Sequence, residues 1–369
     1  MICVLAIYGY VYEDSDSLIV DNDTLTICSS HQYAVLVHIR NNAQLFVRSA
    51  TGATDSTGWL ELDAPHINIT HSSTLLGSER GHKGGYLNNH PWGYGPGGGS
   101  AGGVSGGAGG GGAYGGSGGA GGDIYGGAGG VVYGGLADTL IQMGSGGGAG
   151  RLSVVDGAGG NGGASVSLHG TVVEIDSSDI LLLGQRGTDG SVEAGGGGSG
   201  GGLLIWADTV SLHEVTINAT GGNGGDASFG GGGGAGGGRI KILYSAVLDT
   251  SSTILFAGGG NAGSGTYGTP QAGMAGTIYI GIHTGIHETV PEPLHTLTVK
   301  PNPSQGVMWL QTYRCPTDIH IHDCAGRKVK TISVIRGNEM IDLRDLPPGV
   351  YFVSEPPVSH RPSKLIITR

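Results

Sequence analysis

The chain has 369 residues, of which 79 are glycine, and a formal net charge of −11. Most of the glycine lies between residues 81 and 290, without the strict Gly-X-Y period or the abundant proline that collagen needs. The acidic balance argues against binding to nucleic acid or to anionic membrane surfaces.

Disorder alone does not explain the composition, because 38% of the residues are hydrophobic. They arrive as short β-branched clusters between the glycine tracts, which is the pattern of a chain that can fold. The first residues, MICVLAIYGYVYEDSD, are consistent with either the end of a signal peptide or a first strand. No segment is long enough to span a membrane.

Units with a shared pattern of short apolar clusters recur along the chain. Their first residues are Gly58, Ala164, Gly202 and Gly238, and a truncated unit begins at Gly276. Each full unit contains two apolar runs, a polar corner and a third run that ends in glycine. Strands that are each too short to bury a face, repeated at nearly constant spacing, are typical of a stacked β-solenoid. We therefore predict an all-β protein in which residues 1–290 form a right-handed β-solenoid, or β-helix.

The glycine tracts fall between the third run of one unit and the first run of the next. They are therefore predicted to be inserts at one corner of the solenoid, the largest over residues 81–150. Three-residue spacing, as in GGSGGAGG, suits threefold helices of the polyproline II type that pack side by side. Flexible loops account for the same composition, and the sequence leaves both alternatives open.

The glycine tracts carry no nucleotide-binding signature, because no Gly-Lys-Ser/Thr triplet and no amphipathic helix follows them. Segments 118–126 and 221–229 partly fit a calcium-binding nonapeptide, which makes Asp123 and Asp226 candidate ligands. Calcium in such arrays is shared between tandem copies, and these two segments lie far apart. We expect no cofactor, with calcium as the alternative.

Histidines are candidate metal ligands at two places. His82 and His90 lie near Tyr86 and Trp92, and His320 and His322 alternate along a predicted strand. Neither pair has the acidic support or close pairing of a metal site, so we predict no metal.

A polysaccharide-active β-helix enzyme would need carboxylates that converge beside a basic residue. The candidate carboxylates are Asp63, Asp176, Asp179, Asp208 and Glu214, and the candidate basic residues are Arg239 and Lys241. The acids lie mostly at corners, so we predict that the protein is not an enzyme and keep this activity as the alternative. Tyrosines in the largest insert either anchor it or bind sugars: Tyr94, Tyr114, Tyr125 and Tyr133.

Glycine becomes scarce after the segment HTGIHETVPEP, and residues 291–296 are predicted to be a linker. Residues 297–369 contain short strands separated by turn signals such as DCAGR and LPPGVY. This spacing predicts a small antiparallel β-sandwich.

The order of motifs in this last region resembles the C-terminal sorting domain of the type IX secretion system. The residues that carry the resemblance are Pro301, Asn302, Pro303, Asp323, Gly326, Arg327, Gly349, Tyr351 and Lys364. The resemblance implies an Ig-like sandwich that outer-membrane secretion machinery recognises, and such domains are commonly removed after export.

These observations together predict a secreted or cell-surface protein with a structural or adhesive role. The predicted partners are the secretion machinery, through residues 297–369, and surface glycans or other cell-surface components. The glycine side of the solenoid is the predicted contact surface.

Overall fold

The computed structural model describes residues 9–51, 57–86, 90–136, 138–151, 157–283, 298–300, 302, 304–311, 317–324, 327–334, 338–354 and 363–368. Across these ranges the regular secondary structure is strand without helix, which confirms the all-β class. A helix long and apolar enough to cross a membrane is correspondingly not found among them. Contacts divide the chain into two compact units, Met1–Thr284 and Gly285–Arg369. The predicted linker at residues 291–296 lies outside the described residues.

Sixteen strands lie in the described part of the first unit. They are β1 (Tyr10–Glu13), β2 (Ser17–Asp21), β3 (Thr24–Ile27), β4 (Ser29–Gln32), β5 (Leu36–Arg40), β6 (Gln44–Val47), β7 (Trp59–Asp63), β8 (His66–Thr70), β9 (Thr74–Leu76), β10 (Ser165–Asp176), β11 (Asp179–Leu181), β12 (Gly202–His213), β13 (Thr216–Asn218), β14 (Arg239–Asp249), β15 (Ile254–Phe256) and β16 (Thr277–Ile282).

These strands form two sheets whose long ladders are parallel. In the ten-stranded sheet the main order is β1-β2-β5-β8-β10-β12-β14-β16, with β4 paired to β7 and β7 to β10. β1 pairs antiparallel with β2. The six-stranded sheet has the order β15-β13-β11-β9-β6-β3. Successive units therefore lie beside one another, with Ser165 opposite Gly202 and Gly202 opposite Arg239.

The core of this unit consists of apolar side chains that stack from strand to strand. Leu168, Ile205 and Ile242 share one register position and are 0% exposed. Side chains alternate between the two faces of a strand, so this register places the apolar set of every unit on the same side. The repeated pattern in the sequence therefore becomes a continuous core.

Two details differ from the sequence prediction. The first and second predicted strands of a unit are one continuous strand in β10, β12 and β14, and between the two runs Gly170 stays paired with Ala207. Two earlier units, over β2–β3 and β4–β6, precede the one predicted at Gly58. No glycine tract separates these two units, so the glycine-flanked pattern in the sequence does not reveal them.

The glycine tracts are ordered and packed against one another, so they are not flexible loops. We call residues 81–151, 157–164, 184–201, 219–238 and 257–276, as far as they are described, the glycine bundle. Residues 106–116 are buried along their whole length. A stretch of eleven residues with few side chains thus lies inside the protein.

Hydrogen bonds in the bundle repeat every third residue, as the tract 194–201 illustrates. Its backbone N–H groups donate in turn to three neighbouring tracts. The first tract accepts at Gly230, Gly233 and Gly236, from the N–H groups of Ala194, Gly197 and Gly200 respectively. The second accepts at Thr188, Gln185 and Leu182, from Gly195, Gly198 and Gly201. The third accepts at Gly148 and Ser145, from Gly196 and Ser199. This period is that of a threefold extended helix, which makes no hydrogen bonds within itself.

Close packing of backbone explains why these positions are glycine. A Cβ atom at Gly196 would lie 2.0 Å from the carbonyl oxygen of Gly110. A Cβ atom at Gly111 would lie 2.1 Å from the carbonyl oxygen of Gly234. Such contacts leave no room for any side chain.

The residues described in the second unit form seven strands in two antiparallel sheets. They are β17 (Thr298–Lys300), β18 (Val307–Gln311), β19 (Thr317–Asp323), β20 (Lys328–Val334), β21 (Asn338–Asp342), β22 (Gly349–Ser354) and β23 (Ser363–Ile367). The sheets have the orders β17-β18-β21 and β20-β19-β22-β23. One hydrophobic cluster joins residues of both, including Leu310 and Ile341 from one sheet and Ile321 and Val353 from the other.

Candidate functional site

Arg239 and Lys241, the basic residues considered for catalysis, are buried beneath the largest insert. Lys241 is 1% exposed. Its Nζ donates to Asp138 Oδ1 at 2.6 Å and to the carbonyl oxygens of Asp138 and Leu140, each at 2.9 Å. Arg239 is 4% exposed and donates to the carbonyl oxygens of Tyr133 and Gly134. Both side chains hold the insert on the outer face of β14.

The electrostatics of Asp138 fit this anchoring role. Partial burial acts to raise the pKa of its carboxyl, but the hydrogen bond and charge of Lys241 outweigh that effect and leave the pKa below its ordinary value. The carboxylate is therefore ionised at neutral pH and balances the buried ammonium group.

Two of the four tyrosines in the insert serve as anchors. Tyr114 is 1% exposed, and burial raises its pKa to about 12. Its ring lies 4.8 Å from that of Tyr133, whose hydroxyl donates to the carbonyl oxygen of Met143. Tyr125 is 50% exposed, and the ring of Tyr94 stacks on His90 at 4.0 Å.

The corner carboxylates have local partners that differ from one to the next. Asp176 Oδ1 lies 2.9 Å from His213 Nδ1, and Asp208 accepts a hydrogen bond from Ser245. Glu214 accepts a hydrogen bond from Ser177. Asp63 faces Gln32, and Asp179 lies at the start of β11 between Thr74 and Thr216. Arg239 and Lys241 instead bond to the insert, at Tyr133, Gly134, Asp138 and Leu140.

The candidate metal ligands also have other partners. Asp226 accepts hydrogen bonds from Ser264 and from Arg186, whose positive charge opposes a cation there. His82 is partly buried, and this desolvation lowers its pKa. The ring centroids of His320 and His322 lie 6.2 Å apart. Within the described ranges, no group of three or more His, Cys, Asp or Glu side chains is placed to hold a metal ion.

In the second unit, Asn302 connects the start of the domain to its last strand. Its Nδ2 donates to the carbonyl oxygen of Lys364 at 2.7 Å, and its Oδ1 accepts from the N–H of Ile366 at 2.9 Å. A side-chain amide thus pairs with β23 as a neighbouring strand would. The flanking Pro301 and Pro303 lie outside the described residues.

Asp323 and Arg327 close the turn between β19 and β20. Asp323 accepts hydrogen bonds from the backbone N–H of Arg327 at 3.0 Å and from its Nε at 2.8 Å. The N–H of Asp323 donates to the carbonyl oxygen of Arg327. Gly326, the other residue predicted here, lies outside the described residues.

Tyr351 fixes the corner before β22. Its hydroxyl donates to the carbonyl oxygen of Pro347 at 2.7 Å, and its ring belongs to the buried cluster. Gly349 begins the same strand, where a Cβ atom would meet the Tyr351 ring at 3.6 Å. Lys364 is exposed in β23, so its side chain lies on the surface.

Three further residues that the sequence prediction did not include hold this domain together. Ser304 is 1% exposed, and its Oγ donates to the carbonyl oxygen of Val307 and accepts from the N–H of Gly306. Lys330 pairs with Asp345 at 2.8 Å. The sequence offers a signal only for Ser304, a serine two residues before a glycine, which is typical of a turn.

The region with these contacts matches a known family. Residues 298–367 match the family model described as secretion system C-terminal sorting domain. No curated protein and no solved structure matches the chain. The family match therefore covers the second unit alone. Residues 298–367 are thus a C-terminal sorting domain of the type IX secretion system, and the protein that carries it is secreted or attached to the cell surface.

Proposed function

We propose that the protein is a structural or adhesive component of the cell surface. In this proposal the parallel sheets of the first unit form a β-solenoid, and the glycine bundle beside them is the contact surface. The second unit is an Ig-like sandwich that the secretion machinery recognises.

The observation that carries the proposal is the buried backbone of residues 106–116. Its N–H groups are satisfied by carbonyl oxygens of neighbouring tracts, such as those of Ser100, Gly119 and Gly197. Because each helix is fixed by several others, the bundle forms a stiff body that can present an outer surface. A rigid surface loses little conformational entropy when it binds.

The anchoring of Arg239 and Lys241 favours this role over the alternative, a polysaccharide-cleaving enzyme. Both cations lie beneath residues of the insert and donate hydrogen bonds to its oxygen atoms. An enzyme of that class needs its acids and bases to reach the substrate. We accordingly propose that the protein does not act as an enzyme.

Deletion of the gene in its own host tests the adhesive role. Cells that lack the protein should attach to surfaces or to one another at least tenfold less than wild-type cells. Complementation with the full chain should restore attachment. Complementation without residues 298–367 should not, because the protein would not reach the surface.

Equal attachment of the deletion strain and the wild type would show the adhesive role to be wrong. Purified full-length protein would then be incubated with polysaccharides, and new chain ends would be measured. Cleavage that disappears in Lys241→Met would support the enzyme instead.

A further inference from the structure

Three successive tracts of the glycine bundle carry a larger side chain at every third position. These tracts leave β11, β13 and β15, and we call them the outgoing tracts. The side chains are Arg186, Asp189 and Val192 in the first, Asn223, Asp226 and Phe229 in the second, and Asn261, Ser264 and Tyr267 in the third. In a threefold helix, residues three apart lie on the same side. Each outgoing tract therefore presents one row of side chains.

The rows lie side by side in register. Gly187 donates its N–H to the carbonyl oxygen of Asn223, and Gly224 donates to that of Asn261. Side chains continue the same register, since Asn223 Oδ1 accepts from the N–H of Asn261 at 2.8 Å and Asp226 Oδ1 from that of Ser264 at 2.6 Å. The three rows thus form one surface, which we call the polar grid.

The hydrogen bonds to backbone N–H groups use one side-chain oxygen each of Asn223 and Asp226. The other polar groups of the grid remain open to solvent. Asn223, Asp226, Asn261 and Ser264 are all exposed. Amides and hydroxyls at regular intervals offer both donors and acceptors to a ligand. One turn of a threefold helix rises about 9 Å, which is close to the length of an extended disaccharide.

An aromatic pair closes the grid at its far end. The rings of Phe229 and Tyr267 lie 5.0 Å apart and are nearly parallel, with 13° between their planes. Phe229 is 45% exposed and Tyr267 is 57% exposed. Since Phe229 covers one face of the Tyr267 ring, the exposure of Tyr267 leaves its other face for a ligand.

We propose that the polar grid binds an extended, neutral polysaccharide. A sugar ring stacks on Tyr267, and hydroxyls of the following sugars bond to the amides and hydroxyls along the outgoing tracts. The charges favour a neutral chain, because Asp189 and Asp226 share the single cation of Arg186 and leave the grid acidic. The inference rests on the proposed adhesive function and names its ligand class.

Purified full-length protein is tested for binding to insoluble β-linked glucan and to insoluble β-linked N-acetylglucosamine polymer. A sulfated galactan and vesicles that contain anionic lipid serve as charged probes. We expect binding to at least one neutral polymer and at least tenfold weaker binding to both charged probes. Tyr267→Ala and Phe229→Ala should each weaken neutral binding at least tenfold without changing the melting temperature.

Tyr12→Ala is the matched control, because Tyr12 is 49% exposed in β1, outside the glycine bundle. It should bind like the wild type. Absence of binding to either neutral polymer, or undiminished binding by Tyr267→Ala, would overturn the inference. Stronger binding to the charged probes would overturn it as well.

The cell-attachment experiment separates this failure from that of the adhesive role. If the deletion strain loses attachment but cells with Tyr267→Ala keep it, adhesion uses another surface. In that case the polysaccharide inference is wrong while the proposed function stands. If the deletion strain attaches normally, the proposed function fails whatever the polymers show.

Discussion

The parallel sheets and the glycine bundle belong to one compact unit but bury different parts of the chain. In the sheets, side chains such as Leu168 and Ile205 fill the interior. In the bundle, the interior is backbone, and the neighbours of Gly196 are the peptide groups of Gly110 and Gly148.

This difference changes what stabilises each part. Burial of apolar surface is non-directional and contributes in proportion to area, so the sheet core tolerates small changes of shape. A bundle of peptide groups has little apolar surface to bury, and each N–H must meet its acceptor. The sheets therefore stabilise by burial, while the bundle stabilises by hydrogen bonds at fixed spacing.

A methyl group added to the bundle core gives the largest expected effect. The Cβ atom of Gly196→Ala would lie 2.0 Å from Gly110 O and 2.4 Å from Gly110 C, and neither backbone atom can turn away. We expect the free energy of unfolding to fall by about 3 kcal/mol or more, the upper end for overpacking. Denaturant unfolding measures it.

Gly258→Ala is the matched control in the same bundle. Its Cβ atom would meet nothing nearer than the Thr220 side chain at 3.8 Å. A loss as large as that of Gly196→Ala would contradict the explanation by close backbone contact.

Loss of the ion pair between insert and sheet should have an intermediate effect. Asp138→Asn leaves the ammonium of Lys241 buried without its counter-charge, and we expect a loss on the order of 2 kcal/mol, discounted because Asp138 is partly exposed. Because the pKa of Asp138 is lowered in the folded protein, its contribution is present above about pH 4 and is lost as the pH falls below that value.

Thermal unfolding at pH 7 and pH 3 measures both effects. In a Lys241→Met background, Asp138→Asn should lower the free energy of unfolding little further, because the buried positive charge that Asp138 balances is absent. Equal costs in the two backgrounds would show that the pair does not couple insert and sheet.

Removal of a methyl group from the sheet core should lower the free energy of unfolding less than addition of a methyl group to the bundle. Ile205→Val deletes a single methyl group from a fully buried position between Leu168 and Ile242. We expect a loss of about 1 kcal/mol in denaturant unfolding. A loss equal to that of Gly196→Ala would remove the contrast between the two cores.

The smallest effect on stability is expected from the exposed pair of His213 and Asp176 on the sheets. The hydrogen bond that His213 makes to the carboxylate of Asp176 raises the pKa of His213, with smaller contributions from nearby carboxylates. Any stability from this pair is therefore present below about pH 6.5 and is lost as the pH rises through the folded-state pKa. NMR titration should show a raised pKa that falls in Asp176→Asn and not in Asp208→Asn.

The sequence predicted the parts of the fold that depend on local pattern. Alternating apolar residues located the units from Gly58 to Gly276, the last four at near-constant spacing, and motifs from Asn302 to Lys364 located the sorting domain. The role of Lys241 was not predictable, because its partner Asp138 lies 103 residues earlier and reaches it only through the fold. Likewise, three-residue spacing suggested threefold helices. Whether these helices pack into a bundle or remain loops depends on hydrogen bonds to other tracts, which the local sequence does not show.

The threefold hydrogen-bond pattern also constrains how the tracts can change in length during evolution. An insertion of three residues adds a full turn and returns every later N–H to the neighbour it had before. An insertion of one or two residues rotates all later donors toward the wrong tract. Length variants of this protein should therefore differ by whole triplets within the tracts, while the turns that join them can vary freely.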